Sequence, residues 1–469
     1  MSVINTNVAS LIAQRALQQN NQALNTSLQR LSTGLKINSG ADDPAGLIAS
    51  QNLKAEQTGI STAIDNANQA NNVIGTAEGG LSEVSSLLVQ LQGLVSQAAN
   101  TGGLSAAETG ADQLQVDSIL NTINRIANST TFQGTQLLNG ALAYTTSGIS
   151  NTAVANVEVN SALVPSGGSV AVNVQVVASA ATGQITYTGG AVGHGGVTLE
   201  VSGNLGTQQL SFASGTAVSA IAAAINGIST STGLSAAIVN SDLQVNSTSF
   251  GSGQFVAIQA ITGTFSGLSS NTSYGADAKV NINGAQAEVA GLDVNYRTGA
   301  LDVSLTLQKT FNKPGTTSFN ITGGGATFAL GDKVTTTNKA SIGIGSVATG
   351  NLGDSINGYL NSLGTGGANS LTSGNLPTSQ VILANSISQV STLRGRLGAF
   401  QDYTIGSTIN DLSVAYENAS AADSNIEDTN FAAETSNLTR AQILTQAAST
   451  VLAQANTTPQ QALTLLRGG

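Results

Sequence analysis

The pattern of hydrophobic residues near the end of the chain predicts an amphipathic helix that needs a partner. Between residues 441 and 466, apolar side chains recur at three- and four-residue steps, and no charged residue interrupts them. This spacing places them on one stripe of an α-helix, and burial of the stripe decides whether such a helix is stable in water. Polar residues interrupt every apolar run before the ~20 residues that a membrane span requires. The stripe consists of Ile443, Leu444, Ala447, Ala448, Val451, Leu452 and Ala455.

A matching pattern lies at the other end of the chain. Leucines recur there at three-, four- and seven-residue steps, which is the spacing of a coiled-coil seam, and residues 1–41 carry only three charged side chains. We therefore expect the two ends to pack on each other and on neighbouring copies of the chain. The predicted self-assembly residues are Leu17, Leu24, Leu28, Leu31, Leu35, Ile443, Leu444, Val451, Leu452, Leu463 and Leu466.

Further helices are predicted inside these ends. Asp43 is a suitable N-cap and Pro44 suits the first turn, so a long helix should begin there and run to about residue 99. Ser105 and Glu108 form a capping-box pattern that opens a third helix, and helical spacing resumes after Pro377. The residues predicted to pack these helices together are Leu81, Val84, Leu88, Leu91, Val95, Leu397, Ile409 and Leu412.

The middle of the chain changes to the period of β-strands. Residues 170–177, 197–201, 280–282 and 301–307 alternate between apolar and polar positions and are separated by Gly, Asn and Ser turns. One helical island lies at 217–225. The predicted fold class is therefore α+β, with helical chain ends and an inserted β-rich region.

Composition narrows the classes of function. The chain has 15 Lys and Arg against 25 Asp and Glu, and no basic cluster, which argues against nucleic-acid binding. The absence of cysteine excludes disulfides and thiolate metal sites. His194 is the single histidine, so an H-E-x-x-H metallopeptidase site is excluded. We therefore expect no catalytic residues, cofactor or metal.

Four segments carry a resemblance to a known family. Residues 31–46, LSTGLKINSGADDPAG, and 62–84, TAIDNANQANNVIGTAEGGLSEV, resemble the N-terminal signature of bacterial flagellins. Residues 391–401, STLRGRLGAFQ, and 425–467, which begin NIEDTNFAAETSNLTRAQIL, resemble the C-terminal signature. The resemblance covers about residues 1–140 and 326–467, in order.

This resemblance implies a domain organisation. Residues 1–40 and 426–469 would form coiled coils that line the inside of a tubular filament, and 41–144 with 326–425 would form the surrounding wall. The variable, β-rich outer domain would be 145–325, including a segment at 197–239 that is similar to a repeat of flagellin and hook-associated outer domains. The insertion would split a wall hairpin into halves near 137–144 and 328–352.

The resemblance also implies the function and partners. The chain would polymerise with itself into the extracellular flagellar filament used for swimming, by coupled folding and association of its end helices. Its partners would be the flagellar type III export apparatus, an export chaperone, the filament cap and hook-associated proteins, with no nucleic acid and no membrane. A hook–filament junction protein is the alternative. A filamentous adhesin is a more distant one, because we expect neither a secretion signal nor a membrane anchor at the chain ends.

Two further expectations concern single side chains. Flagellins that the flagellin-sensing Toll-like receptor recognises strongly carry Arg where Gln90 stands and Glu where Gly93 stands, whereas Leu94 matches. The resemblance thus implies receptor contact at Gln90 and Leu94, with weak recognition. Separately, the scarce cations Arg394, Arg396 and Arg440 are expected either to pair with Asp402, Glu417, Glu434 or a neighbouring subunit, or to stay solvated.

Overall fold

The structure is a computed structural model that describes residues 6–100, 103, 105–165, 167–193 and 195–467. Within its last helix, the side chains at 459, 462–463 and 465–467 also lie outside the description. Helices occupy both ends of the described chain. They are α1 (Val8–Thr33), α2 (Pro44–Ala98), α3 (Ala106–Ser129), α4 (Val218–Gly227), α5 (Ser229–Thr232), α6 (Leu376–Ala399), α7 (Ser407–Glu427) and α8 (Phe431–Arg467).

Strands occupy the middle, and the α+β class is confirmed. A π-helical segment, Phe400–Gly406, lies between α6 and α7, and 3-10 turns lie at Lys309–Phe311 and Leu360–Leu363. The strands are β1 (Thr131–Phe132), β2 (Thr135–Gln136), β3 (Thr145–Ser147), β4 (Val154–Ala162), β5 (Val170–Ala178), β6 (Gln184–Tyr187), β7 (Val197–Gly203), β8 (Gly206–Phe212), β9 (Leu234–Val239), β10 (Asp242–Ser247), β11 (Phe255–Thr262), β12 (Thr272–Tyr274), β13 (Lys279–Ile282), β14 (Ala285–Gln286), β15 (Glu288–Ala290), β16 (Asp293–Arg297), β17 (Leu301–Leu307), β18 (Gly315–Gly323), β19 (Ala326–Ala329), β20 (Lys339–Ile342), β21 (Gly353–Asp354) and β22 (Gly358–Tyr359).

The described residues divide into two compact units. The terminal unit comprises the residues up to Asn68, Leu330–Val334 and the residues from Gly406 onward. The central unit comprises Gln69–Ala329 and Thr335–Ile405. Helix α2 contributes its first part to the terminal unit and the remainder to the central unit.

Local side-chain chemistry fixes the helix starts that the sequence predicts. At the start of α2, Asp43 Oδ1 accepts the backbone N–H of Gly46 at 2.9 Å, and Pro44 is the first helical residue. At the start of α3, the Ser105 hydroxyl accepts the N–H of Glu108, and the Glu108 carboxylate accepts the N–H of Ser105 at 2.7 Å. Both caps satisfy N–H groups that the helix itself leaves without partners.

The central unit has a helical part with an apolar interior. In α2, the predicted packing residues Leu81, Val84, Leu88, Leu91 and Val95 are all buried, as is Leu397 of α6. Helix α6 is also tied to α2 by an ion pair, with Arg394 Nε 2.7 Å from Glu78 Oε1. The two other predicted packing residues, Ile409 and Leu412, are half-buried in α7 of the terminal unit.

The chain is brought back together on either side of the β-rich insertion. The Ile344 N–H donates to the Leu142 carbonyl at 2.9 Å, and the Val347 N–H donates to the Leu138 carbonyl at 3.0 Å. The two halves of the expected split hairpin therefore pair with each other, although they are far apart in sequence.

The insertion contains two β cores. In the first, a five-stranded sheet in the order β14-β13-β5-β18-β3 and a four-stranded sheet in the order β15-β16-β17-β4 share buried valines, leucines and isoleucines. In the second, the sheets β6-β10-β9 and β12-β11-β7-β8 enclose apolar residues of α4. The repeat-like segment 197–239 supplies β7, β8, α4, α5 and β9, which is about half of the second core.

A half-buried carboxylate connects the turns between these cores. Asp277 Oδ1 accepts the N–H groups of Ser252 at 2.9 Å and Gly291 at 2.7 Å. The hydrogen bond from the Ser252 hydroxyl and these two backbone bonds lower the pKa of Asp277 below its ordinary value, because they stabilise the ionised form.

Candidate self-assembly surface

Helices α1 and α8 form an antiparallel pair in the terminal unit. Asn7 Nδ2 donates to the Ala455 carbonyl at 2.8 Å, and Asn20 Nδ2 donates to the Leu444 carbonyl at 3.2 Å. At the far end of the pair, Arg30 lies 3.8 Å from Glu434. The partner number falls as the residue number in α1 rises, so the helices run in opposite directions. The predicted packing of the two chain ends is therefore present.

Small and polar residues, rather than large apolar ones, form most of the contact between α1 and α8. On α8, the least exposed positions alternate at three- and four-residue steps, which is a heptad seam. These positions are Glu434, Leu438, Ala441, Thr445, Ala448, Leu452 and Ala455. The corresponding positions of α1 are Ser10, Ala13, Leu17, Asn20, Leu24, Ser27 and Leu31. The small residues Ser10, Ala13 and Ser27 could have been found from this same spacing, had serine and alanine been counted with leucine.

The single apolar stripe expected from the sequence is divided between two faces. Leu17, Leu24, Leu31, Leu35 and Leu452 are half-buried, and those within the helices face the opposite helix. In contrast, Leu28, Ile443, Leu444 and Val451 are exposed, so they do not line the seam between the two ends. Within one chain the opposite end does not cover these four residues, so their predicted role in self-assembly stays a prediction about neighbouring copies. Leu463 and Leu466 lie outside the side chains that the structure describes.

The outward faces of the pair carry an apolar surface. Ile443 is 64% exposed and Val451 is 58% exposed, and they lie about two turns apart on α8. Sequence reasoning missed three comparable residues near the start of α1, Val8, Leu11 and Ile12, each more than half exposed. These exposed apolar side chains are the candidate contacts of the pair with another molecule.

A short bridge closes the pair at the end opposite the chain termini. Helix α1 ends at Gly34, whose φ of 76° lies in the left-handed region that glycine adopts most readily. The chain then pairs with the α7–α8 connection: the Lys36 N–H donates to the Glu427 carbonyl at 2.6 Å, and the Thr429 N–H donates to the Gly34 carbonyl at 2.8 Å.

A buried carboxylate ties this bridge to α2. Glu427 is 6% exposed, accepts a hydrogen bond from Ser50 Oγ at 2.7 Å and pairs with Lys54. The hydrogen bonds from Lys54 and Ser50 lower the pKa of Glu427. In return, the hydrogen bond to the Glu427 carboxylate raises the pKa of Lys54. The terminal unit is thus held by an ion pair that sequence spacing did not reveal.

The scarce arginines find other partners than those expected. Arg394 pairs with Glu78, and Arg396 Nη1 lies 2.7 Å from Glu158 Oε1, so the expectation of Asp402, Glu417 or Glu434 was wrong for both. The reason is tertiary: Glu78 and Glu158 are distant in sequence and are brought to α6 by the fold. Arg440 is exposed on α8.

The remaining predicted positions have these locations. Gln90 is exposed on α2 and Leu94 is half-buried one turn later. His194 lies outside the described residues. In the described part of the chain, no three residues among His, Cys, Asp and Glu are grouped so that they could hold a metal ion. None of the described helices combines the length and apolar character that crossing a membrane requires.

Comparison with known proteins gives matches at both ends and over the full length. Residues 4–143 match the family model for the bacterial flagellin N-terminal helical region, and residues 381–466 match that for the C-terminal helical region. Polar flagellin F of Vibrio parahaemolyticus is 30% identical over 465 residues, which cover 99% of each chain. B-type flagellin of Pseudomonas aeruginosa is 30% identical over 518 aligned positions, again with 99% of each chain covered.

Similarity to solved structures is more remote. The flagellar cap protein of Escherichia coli matches at a TM-score of 0.28 and 18% identity, covering 45% of this chain and 64% of that one. The flagellar hook-associated protein-3 of Legionella pneumophila matches at a TM-score of 0.25 and 13% identity, covering 84% of this chain and 99% of that one. Scores this low carry no argument about function.

The two chain ends form helices that pack on each other, and a β-rich region is inserted between them. This is the architecture of a structural protein whose two ends act together. The protein belongs to the bacterial flagellin family, as the full-length relatives and the two helical-region models show. It is a structural subunit of the bacterial flagellar filament, which serves motility. The alternative of a hook–filament junction protein is not favoured, because these full-length relatives are flagellins.

Proposed function

We propose that the chain polymerises with copies of itself through the outward apolar faces of the α1–α8 pair. The observation that carries this proposal is the exposure of Val8, Leu11, Ile12, Ile443 and Val451, all of which are more than half exposed. Burying a Leu, Ile or Val side chain contributes about 1.5–3 kcal/mol. The free energy of association with a neighbouring subunit that covers these side chains is therefore strongly favourable.

The seam between α1 and α8 supports coupled folding and association. Its buried positions include Ser10, Ala13, Ser27, Ala441 and Ala448, which bury little apolar area apiece. Since a buried CH₂ group is worth only about 0.8 kcal/mol, such a seam compensates weakly for the entropy of ordering two helices. The pair therefore gains most of its stability when the outward faces are also covered in the polymer.

Membership of the flagellin family supports a position in the filament for each part of the chain, and a route of export. Residues 1–40 and 426–469 form the inner core of the filament, 41–144 and 326–425 form its wall, and 145–325 face outward. The chain leaves the cell through the flagellar type III export apparatus with the help of an export chaperone, and it assembles between hook-associated proteins and the filament cap. Its lack of cysteine suits export of an unfolded chain, because no disulfide can lock it.

A matched pair of variants tests the assembly surface. Ile443→Gln removes an exposed apolar side chain of α8 without touching the seam, and Leu205→Gln does the same at the β7–β8 turn, where Leu205 is 63% exposed. We expect Ile443→Gln to raise the critical concentration for polymerisation about tenfold or more, because ~1.4 kcal/mol corresponds to a factor of ten. Leu205→Gln should polymerise like the wild type. Equal assembly of the two variants would contradict the proposal.

A deletion tests the assignment of assembly to the chain ends. Removal of residues 437–469 takes away most of α8 and should abolish repolymerisation of monomers released by warming. The control is the intact chain taken through the same cycle and examined by electron microscopy. Long tubes formed by the truncated chain would show that another surface drives assembly.

A further inference from the structure

A cavity in the central unit has the size and lining of a small-molecule site. Its volume is about 510 Å³, and typical ligand pockets span roughly 300–1,000 Å³. Its walls come from the end of β4, the β16–β17 turn, β20, the end of α6 and the π-helical segment. The side chains that matter for recognition are Arg297, Asp302, Lys339, Arg396, Phe400 and Tyr403.

Among the described residues that line this cavity, one cation has no ion-pair partner. Arg297 Nε lies 2.8 Å from Asp302 Oδ2, and Arg396 Nη1 lies 2.7 Å from Glu158 Oε1, so both arginines are neutralised. Lys339 is half-buried, and among the described residues its ammonium group makes no ion pair. In a chain of net charge −10, the described part of the cavity therefore presents a single positive charge that is available to a ligand.

The aromatic side chain of Tyr403 lines the same cavity. Tyr403 is 79% exposed, while Phe400 at the start of the same segment lies against Phe328, with ring centroids 6.1 Å apart. Both belong to the π-helical segment Phe400–Gly406, and π-helical turns occur frequently at functional sites. The exposed Tyr403 ring offers a flat apolar face with a hydroxyl at its edge, which suits a ligand that has both an apolar face and polar groups.

We propose that this cavity binds one acidic sugar residue, with its carboxylate on Lys339 and its ring against Tyr403. A single available cation matches a monoanion. A phosphate monoester carries a charge of about −1.5 to −2 at pH 7, which one available cation does not balance, and both arginines here are already engaged by carboxylates. The cavity also joins charge to an aromatic face, and a sugar ring carries C–H groups that pack on such a face.

The test uses the full-length monomeric chain and saturation-transfer NMR with glucuronate as probe and glucose as its neutral counterpart. Glucuronate should receive saturation and glucose should not. Methyl glucuronide forms a second arm: binding equal to glucuronate identifies the end of a glycan chain as the source, and loss of binding identifies the free sugar acid. Either result supports an acidic-sugar site.

Matched variants decide whether the cavity is responsible. Lys339→Gln should weaken glucuronate binding about tenfold or more, because a charge-assisted hydrogen bond is lost. Lys279→Gln changes the net charge equally at an exposed lysine outside the cavity and should bind like the wild type. Tyr403→Ala should also weaken binding, whereas Tyr274→Ala, at another exposed tyrosine, should not. Equal binding of glucose and glucuronate, or equal effects of the two lysine variants, would overturn the proposal.

Discussion

Substitution of the second glycine in the Gly79-Gly80 pair of α2 should destabilise the central unit. A methyl group at Gly80 would lie 2.8 Å from Leu138 Cδ1 and 2.8 Å from Thr130 Oγ1, which is closer than side-chain carbons normally approach. Neither neighbour moves easily. Leu138 is fully buried, and the Thr130 hydroxyl donates to the Ile126 carbonyl at 2.8 Å.

The size of the effect follows from two opposing terms. Alanine favours a helix over glycine by about 0.5–1 kcal/mol, and overpacking a close contact costs about 1–3 kcal/mol. We therefore expect Gly80→Ala to lower the free energy of unfolding by about 0.5–2 kcal/mol. Gly79→Ala is the matched control, because no atom lies within 4 Å of a methyl group there. It should raise the free energy of unfolding by about 0.5–1 kcal/mol.

Urea unfolding of the monomer, followed by far-UV circular dichroism, distinguishes these two outcomes. The midpoint of Gly80→Ala should fall below that of the wild type, and the midpoint of Gly79→Ala should rise above it. If both glycines gave the same gain in stability, helix propensity alone would control this part of α2, and the packing argument would fail.

Four other substitutions should have measurable effects. Glu427→Gln should destabilise the terminal unit by only about 1 kcal/mol, because Lys54 is partly solvated. The same substitution should make the free energy of unfolding depend less on pH at acid pH. The lowered pKa of Glu427 means that its contribution is complete above the ordinary value of 4.5 and disappears as pH falls through the folded-state pKa; a variant with the wild-type acid profile would refute this. Asp277→Asn should weaken the turns between the two β cores, which hydrogen exchange at the Gly291 amide can detect as faster exchange than in the wild type. Gln90→Arg should increase signalling in a Toll-like receptor reporter assay and Leu94→Ala should decrease it, and unchanged signals would remove both residues from the contact.

The sequence pattern predicted the helices because the signals that start a helix are local in sequence. The Asp43 cap and the Ser105–Glu108 capping box are settled within one turn of chain, so their residue types alone predict where α2 and α3 begin. The strands of the insertion were likewise readable from their period, although the order of strands in each sheet was not. Strand order depends on long-range pairing, such as β5 with β18, that no local pattern encodes.

The assembly surface was only partly predictable for the same reason. The spacing of apolar residues in α8 correctly indicated a helix that needs a partner, but it could not say which side of the helix meets α1. Ala441 and Ala448 face the seam, while Ile443 and Val451 remain outside it, because an antiparallel pair in close contact selects small side chains.

The sequence by itself determined that both ends are nearly uncharged helices, that the middle is β-rich and that the chain is of flagellin type. Tertiary structure alone decided which apolar residues are buried within the chain and which remain exposed on its surface. It also decided that Glu427 meets Lys54 and that Lys339 shares a cavity with Tyr403. The physical reason is that helices and caps depend on neighbours in sequence, whereas ion pairs, seams and cavities depend on which distant segments the fold brings together.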